Sequence, residues 1–137
     1  MAKKYWLLKT EPATYSFTTL QKEKRTTWNG VRNFQARNFL KEFQVGDLAL
    51  IYHSGKEKAV MGVAEIARAG YPEVDNTMPG EWIQVDLTPK RALAIPVTLA
   101  QLKAEKTLAK LLLLKQSRLS VMPVTHAEFK QILKIGG

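Results

Sequence analysis

The sequence predicts an α+β fold: a mixed, mostly antiparallel sheet or small barrel with short helices around it. Three observations carry this reading. Short apolar runs bounded by turn residues outnumber long helical stripes, no regular strand–helix alternation runs along the chain, and two helix starts are marked by capping boxes. The 137 residues fit one domain, residues 1–137, and show no repeat, low-complexity tract or Pro/Gly/Ser-rich linker.

Taken in order, Tyr5 to Lys9 forms a first strand, closed by the turn-forming pair Glu11-Pro12. Ser16 to Glu23 is a short helix. Asn33 to Phe43 is a stronger one, because Ala36, Phe39, Leu40 and Phe43 recur at i, i+3, i+4 and i+7. Gly46-Asp47 turns the chain into a buried strand, Leu48 to Tyr52, and Ala59 to Ile66 is the next. Residues 70 to 80 hold Pro72 and Pro79 and read as a loop. Trp82 to Leu87 alternates, with Ile83, Val85 and Leu87 on one face, and Leu93 to Val97 resumes the sheet after a break at Pro89. Thr98 with Gln101 and Thr125 with Glu128 make the two capping boxes, each with a staple, Val97 to Leu102 and Val124 to Phe129. Leu108, Leu111 and Leu112 suggest a helical piece between them, and Arg118 to Val124 a last strand. The final helix buries Phe129, Ile132 and Leu133 and stops at Gly136.

Composition narrows the chemistry. There is no cysteine and there are only two histidines, so a thiolate site or a histidine-rich metal cluster is excluded, and no tight acidic cluster suggests Mg²⁺. No metal or cofactor is expected. No apolar run approaches the ~18 residues of a membrane span, and the apolar stretch after Met1 stops at Lys9, too short for a signal-peptide core. The expected location is the cytoplasm, or the nucleus in a eukaryote. The net charge is +9, and residues 1–41 carry +7 of it, nine basic side chains against two acids. Such a balance favours a polyanionic partner through phosphate contacts and counterion release, although a solubilising surface has the same composition.

Catalytic readings find little support. His53 and Ser54 are neighbours that point to opposite faces of a strand, so they cannot pair as base and nucleophile. His126 sits in the first turn of the last helix, where a structural role fits better. No glycine-rich phosphate loop, serine elbow or convincing carboxylate pair is present. The segment from Trp28 to Leu40 is more telling. Asn29-Gly30 makes a turn and Asn33 is placed to cap a helix. From Asn29 to Leu40 there are two arginines, three asparagines, a glutamine and no acid, so amides able to read a base edge sit among cations. Trp28 either stacks on a base or belongs to the core.

Four motifs in order resemble the EVE-domain family, within the wider PUA-like group. They are Tyr5-Trp6-Leu7-Leu8-Lys9-Thr10-Glu11-Pro12, the run from Trp28 to Leu40, Gly46-Asp47 followed by Tyr52-His53-Ser54, and Arg118-Leu119-Ser120-Val121 with Pro123-Val124. Thr10 stands where the family usually has serine, Phe34 where tyrosine is commoner, and Met122 where a polar residue is frequent. The resemblance implies a pseudo-barrel of about five or six strands flanked by short helices. It also implies a pocket for a base extruded from a strand, with modified cytosines as ligands and no catalysis.

On that basis Trp28 is the aromatic wall, or packs just behind it. Thr10, Asn33 and Ser54 are candidates for edge hydrogen bonds, His53 for the base or its backbone, and Glu11 for an exocyclic amine. Lys9, Arg32, Arg37, Arg118 and Ser120 would hold phosphates or support the pocket. Structural alternatives stand beside these roles: Arg32 or Arg118 bridging Glu11 or Asp47, and Asn33 serving only as a cap. Two rival functions remain, a general RNA-binding module and a nucleotide-acting hydrolase or transferase with His53 as base.

Overall fold

The computed structural model describes residues 3–73 and 79–137. Six strands form one sheet: β1 (Tyr5–Thr10), β2 (Thr26–Trp28), β3 (Leu48–His53), β4 (Ala59–Pro72), β5 (Ile83–Thr98) and β6 (Val121–Val124), in the order β2-β5-β4-β3-β1-β6. Five short helices flank it: α1 (Phe17–Glu23), α2 (Phe34–Leu40), α3 (Leu99–Ala104), α4 (Leu112–Lys115) and α5 (His126–Gly136). A 3-10 turn at Lys106–Leu108 precedes α4. The α+β class and the mostly antiparallel sheet are as the sequence reads.

Among the described residues, only the β1–β3 pairing is parallel. A parallel pair needs a long crossover, and here it runs through α1, β2 and α2. β1 and β3 lie in the middle of the sheet with both faces covered, which is why they are unbroken apolar runs: Trp6, Leu7 and Leu8, and Ala49 to Tyr52, are all buried.

Local chemistry fixes the ends. Ser16 caps α1 by accepting from Thr19 N–H, and Asn33 caps α2 by accepting from Ala36 N–H. Both capping boxes form at Thr98 and Thr125, and their staple residues Val97, Leu102, Val124 and Phe129 are buried. Asp47, 2% exposed, gathers the chain before β3 by accepting from Trp6 Nε1 at 3.0 Å, Gln44 N at 3.0 Å and Lys4 N at 3.1 Å. A side chain at Gly62 would collide with the Phe17 ring, so the start of α1 is seated directly on β4.

Several boundaries differ from the sequence reading. β5 does not break at Pro89; it continues to Thr98, because the register with β4 shifts between Val63 and Ala64, where the missing proline N–H is tolerated. β4 runs past Ile66 to Pro72, so Gly70 to Pro72 are strand rather than loop, and Tyr71 pairs with Gln84; residues 74–78 of the expected loop lie outside the described residues. Gln84 and Asp86, on the face opposite Ile83, Val85 and Leu87, are buried too. α2 stops at Leu40, and Glu42 and Phe43 continue with tighter bonds to Phe39 and Leu40; Phe43 still stacks on Trp6 at 4.5 Å. β2 has no counterpart in the sequence reading.

Candidate functional site

A cavity of about 610 Å³ opens among the end of β1, the loop into α1, β2, the turn into α2, and Ser120 ahead of β6. Since β2 is one edge of the sheet and β6 the other, the sheet is rolled far enough for its two ends to line one space. The cavity is the seam at which the pseudo-barrel fails to close.

Seven of the residues singled out in the sequence meet there: Lys9, Thr10, Glu11, Trp28, Arg32, Asn33 and Ser120. Trp28 is 9% exposed, and Tyr15 meets it edge to face at 5.9 Å and 88°. The indole is both core and wall. Thr10 Oγ1 donates to the Tyr15 carbonyl at 2.8 Å, so its lone pairs stay open to a donor. Asn33 spends its carboxamide oxygen on the cap, at 2.9 Å from Ala36 N, and its NH₂ makes no bond among the described residues. Lys9 Nζ donates to the Ser117 carbonyl at 2.6 Å, and burial pulls its ammonium below the ordinary 10.5. Glu11 is exposed and leaves no room for a side chain at Gly55.

Arg32 bridges neither Glu11 nor Asp47. It grips Glu73 with two bonds, Nη1 to Oε2 at 3.0 Å and Nη2 to Oε1 at 2.8 Å, and Gly30 N–H adds a third at 3.0 Å. These bonds, the Arg32 ones foremost, hold the Glu73 carboxyl below its ordinary 4.5 against the opposing pull of burial. The turn Asn29-Gly30 is thereby fixed from the residue after β4, and Gly30 itself sits at φ +81°, in the region that favours glycine.

The other four sites lie elsewhere. His53 is 3% exposed; its Nε2 accepts the Phe17 N–H at 3.0 Å and its Nδ1 lies 3.4 Å from Glu57 Oε1, so the ring holds the start of α1 and does not reach the cavity. Ser54 is half-buried beyond it, its N–H donating to the Thr10 carbonyl at 2.9 Å. Arg37 donates to the Gly80 carbonyl and to Asn38. Arg118 is exposed and makes no ion pair among the described residues. His126 stacks on Tyr5 at 5.1 Å, in keeping with a structural role.

The sequence reading did not single out Tyr15, Thr26, Thr27 or Val31 as lining. Tyr15 is the most consequential. Burial and its hydrogen bond to Glu23, 2.6 Å long, raise its phenol above 10.0 and keep it neutral. Its signal was its place just after the Glu11-Pro12 turn. β2 is tied to β5 through Asp86, which accepts from Arg25 at 2.9 Å, Thr27 at 3.1 Å and Tyr71. Burial pushes that carboxyl up, but these bonds outweigh it and hold it below 3.8. Among the described residues no cluster of His, Asp and Glu is set to hold a metal, and no helix is long and apolar enough to cross a membrane.

Fold and site together define a PUA-like pseudo-barrel with an aromatic-walled, hydroxyl- and amide-rimmed cavity at its seam. The chain belongs to the EVE-domain family, whose model matches residues 4–135. It is 32% identical to human thymocyte nuclear protein 1, over 96% of this chain and 73% of that one. Human THYN1 crystallised with 5-methylcytosine-containing DNA superposes with a TM-score of 0.90 at 30% identity, covering 98% of each chain. A protein of Agrobacterium tumefaciens gives 0.93 at 34% identity, covering 98% of this chain and 93% of its own.

Proposed function

We propose that residues 1–137 act as one nucleic-acid-binding domain that reads a modified base, a modified cytosine in DNA or RNA, held extruded in the cavity. One observation carries this: the cavity joins a buried indole wall to half-satisfied polar groups in the most basic part of the chain. Its volume suits one small planar ligand. Trp28 stacks on the base, and Tyr15 fixes the indole. The free NH₂ of Asn33 donates to a ring acceptor, while Thr10 Oγ1 or Glu11 accepts from the exocyclic amine. Val31 offers apolar contact to an added methyl group. Lys9 lines the cavity and Arg118 is exposed outside it, and both are assigned to phosphate.

The chemistry asked of the protein is binding alone. The human relative bound to 5-methylcytosine-containing DNA supports the ligand class. Extrusion costs a few kcal/mol, which stacking at about 1–3 kcal/mol per base and edge bonds must offset. A methyl group discriminates by only about 1–3 kcal/mol, so preference over plain cytosine is limited.

The test is a titration with matched single- and double-stranded DNA and RNA. Each oligonucleotide carries one plain, methylated or hydroxymethylated cytosine, at two salt concentrations, with Trp28→Phe alongside. Tighter binding of one modified form, weakened in the variant, supports the pocket. Affinity that ignores the modification and falls only with salt makes the protein a backbone binder. Turnover of any modified nucleotide would replace binding with catalysis.

A further inference from the structure

Beside the cavity stands an aromatic group that the pocket does not use. Phe34 opens α2, directly after Asn33, and is 57% exposed, whereas Phe17, Phe43 and Phe129 are buried. An isolated exposed ring would be unremarkable, but this one is braced. Trp82 stacks on it at 5.0 Å and 23°, and the Arg37 guanidinium lies 4.9 Å from its centre. Arg32 lies 5.1 Å from the Trp82 ring. We infer that Phe34 is a stacking platform for the nucleobase next to the extruded one, taking the place that the extruded base leaves; this rests on the pocket reading above.

The placement fits, because Phe34 directly follows Asn33, which lines the cavity, and is itself outside the lining. Extrusion strips a stacking partner from the neighbouring base, and a flat ring restores it. Trp82 and Arg37 already fix the ring, so little side-chain freedom is lost when a base lands. The Arg37 guanidinium beside an apolar ring, in the most basic part of the chain, suits a polyanion that carries flat bases and disfavours an apolar peptide. Phenylalanine needs no partner for a phenol, so the exposed part of the ring is open to a base.

The experiment places 2-aminopurine, whose fluorescence is quenched by stacking, immediately beside a 5-methylcytosine in a single-stranded oligonucleotide. Binding is compared for the native protein, Phe34→Ala, Phe34→Leu and Phe34→Tyr, with plain cytosine as control. Phe34→Ala and Phe34→Leu should each weaken binding about tenfold and leave the flanking probe bright. Phe34→Tyr should restore both, and the preference for methylated over plain cytosine should persist in all. Unchanged affinity and quenching in Phe34→Ala overturn the platform and leave the pocket standing. Recovery by Phe34→Leu also overturns it, since volume rather than a π-face would then suffice. A native protein with no preference for methylcytosine fails the pocket reading itself, and with it the platform's link to an extruded base.

Discussion

Residues 1–41 and the remainder of the chain divide the work unequally. The first region supplies thirteen of the fourteen residues lining the cavity and +7 of the +9 charge. Its elements are short: two helices of seven residues and a strand of three. The second region holds the long β4 and β5 strands, of fourteen and sixteen residues. Polar groups differ in the same sense, those of the second region being buried and those of the first half-buried or exposed. Asp47 and His53 in the second region are bonded inward, to Trp6, to backbone N–H groups and to Glu57. Asn33 and Thr10 in the first keep capacity in reserve. A polar group with its partners supplied by the chain is scaffold, and one left half-satisfied at a cavity is available to a ligand.

That contrast is strongest at Asp47. Asp47→Ala strands three donors, Trp6 Nε1 among them. It should lower stability by about 3 kcal/mol or more, read as a fall in urea midpoint. The folded fraction should bind with native preference; a selective loss of preference would break the division. Next, Trp28→Phe should weaken binding of the modified strand by about tenfold with a smaller loss of stability, because a ring still fills the wall. Equal effects on plain and modified strands would return Trp28 to the core alone.

Glu73 crosses the boundary, since it sits after β4 yet fixes Arg32 and Gly30. Its pair is partly exposed, so Glu73→Gln should cost about 1 kcal/mol or less at neutral pH. The folded carboxyl lies below its ordinary 4.5, so its contribution is complete above that value and is lost as pH falls through the folded value. The stability gap between native protein and Glu73→Gln should therefore close in acid. A gap that widens below pH 4.5 would reverse the sign of the pairing. Smallest of all, Arg118→Gln should lower affinity alike for plain and modified strands and reduce the salt slope by about 1. No change in slope would remove it from the phosphate path.

The elements legible in the sequence were those with a local cause. Both capping boxes, the Asn33 cap and the central strands β1 and β3 follow from residues within one turn or one run. β2 was invisible because Thr26 to Trp28 is strand only by pairing with β5, whose Asp86 binds Arg25 and Thr27. Pro89 misled for the complementary reason, since the unpaired Lys90 beside it in β5 shifts the register against β4 and absorbs it. The site was legible as a neighbourhood, through Trp28 to Asn33 and Lys9 to Glu11. His53 and Ser54 follow the same motif but face α1 and the Thr10 backbone, a direction that spacing does not record. Tyr15 reaches Trp28 only once the Pro12 turn folds the chain back.

The seam between the two ends of the sheet has a mechanical consequence. A barrel one stave short is held together on that side only by what bridges the gap. A base seated between Trp28 and Ser120, just ahead of β6, would be such a stave, joining the β2 edge to the opposite edge without a single added backbone pairing. Amide exchange in β2 should then slow on binding far more than in β4, and melting should rise with ligand concentration by mass action. Recognition and ring closure would be one event, with the nucleic acid lending its base as a temporary structural part of the protein.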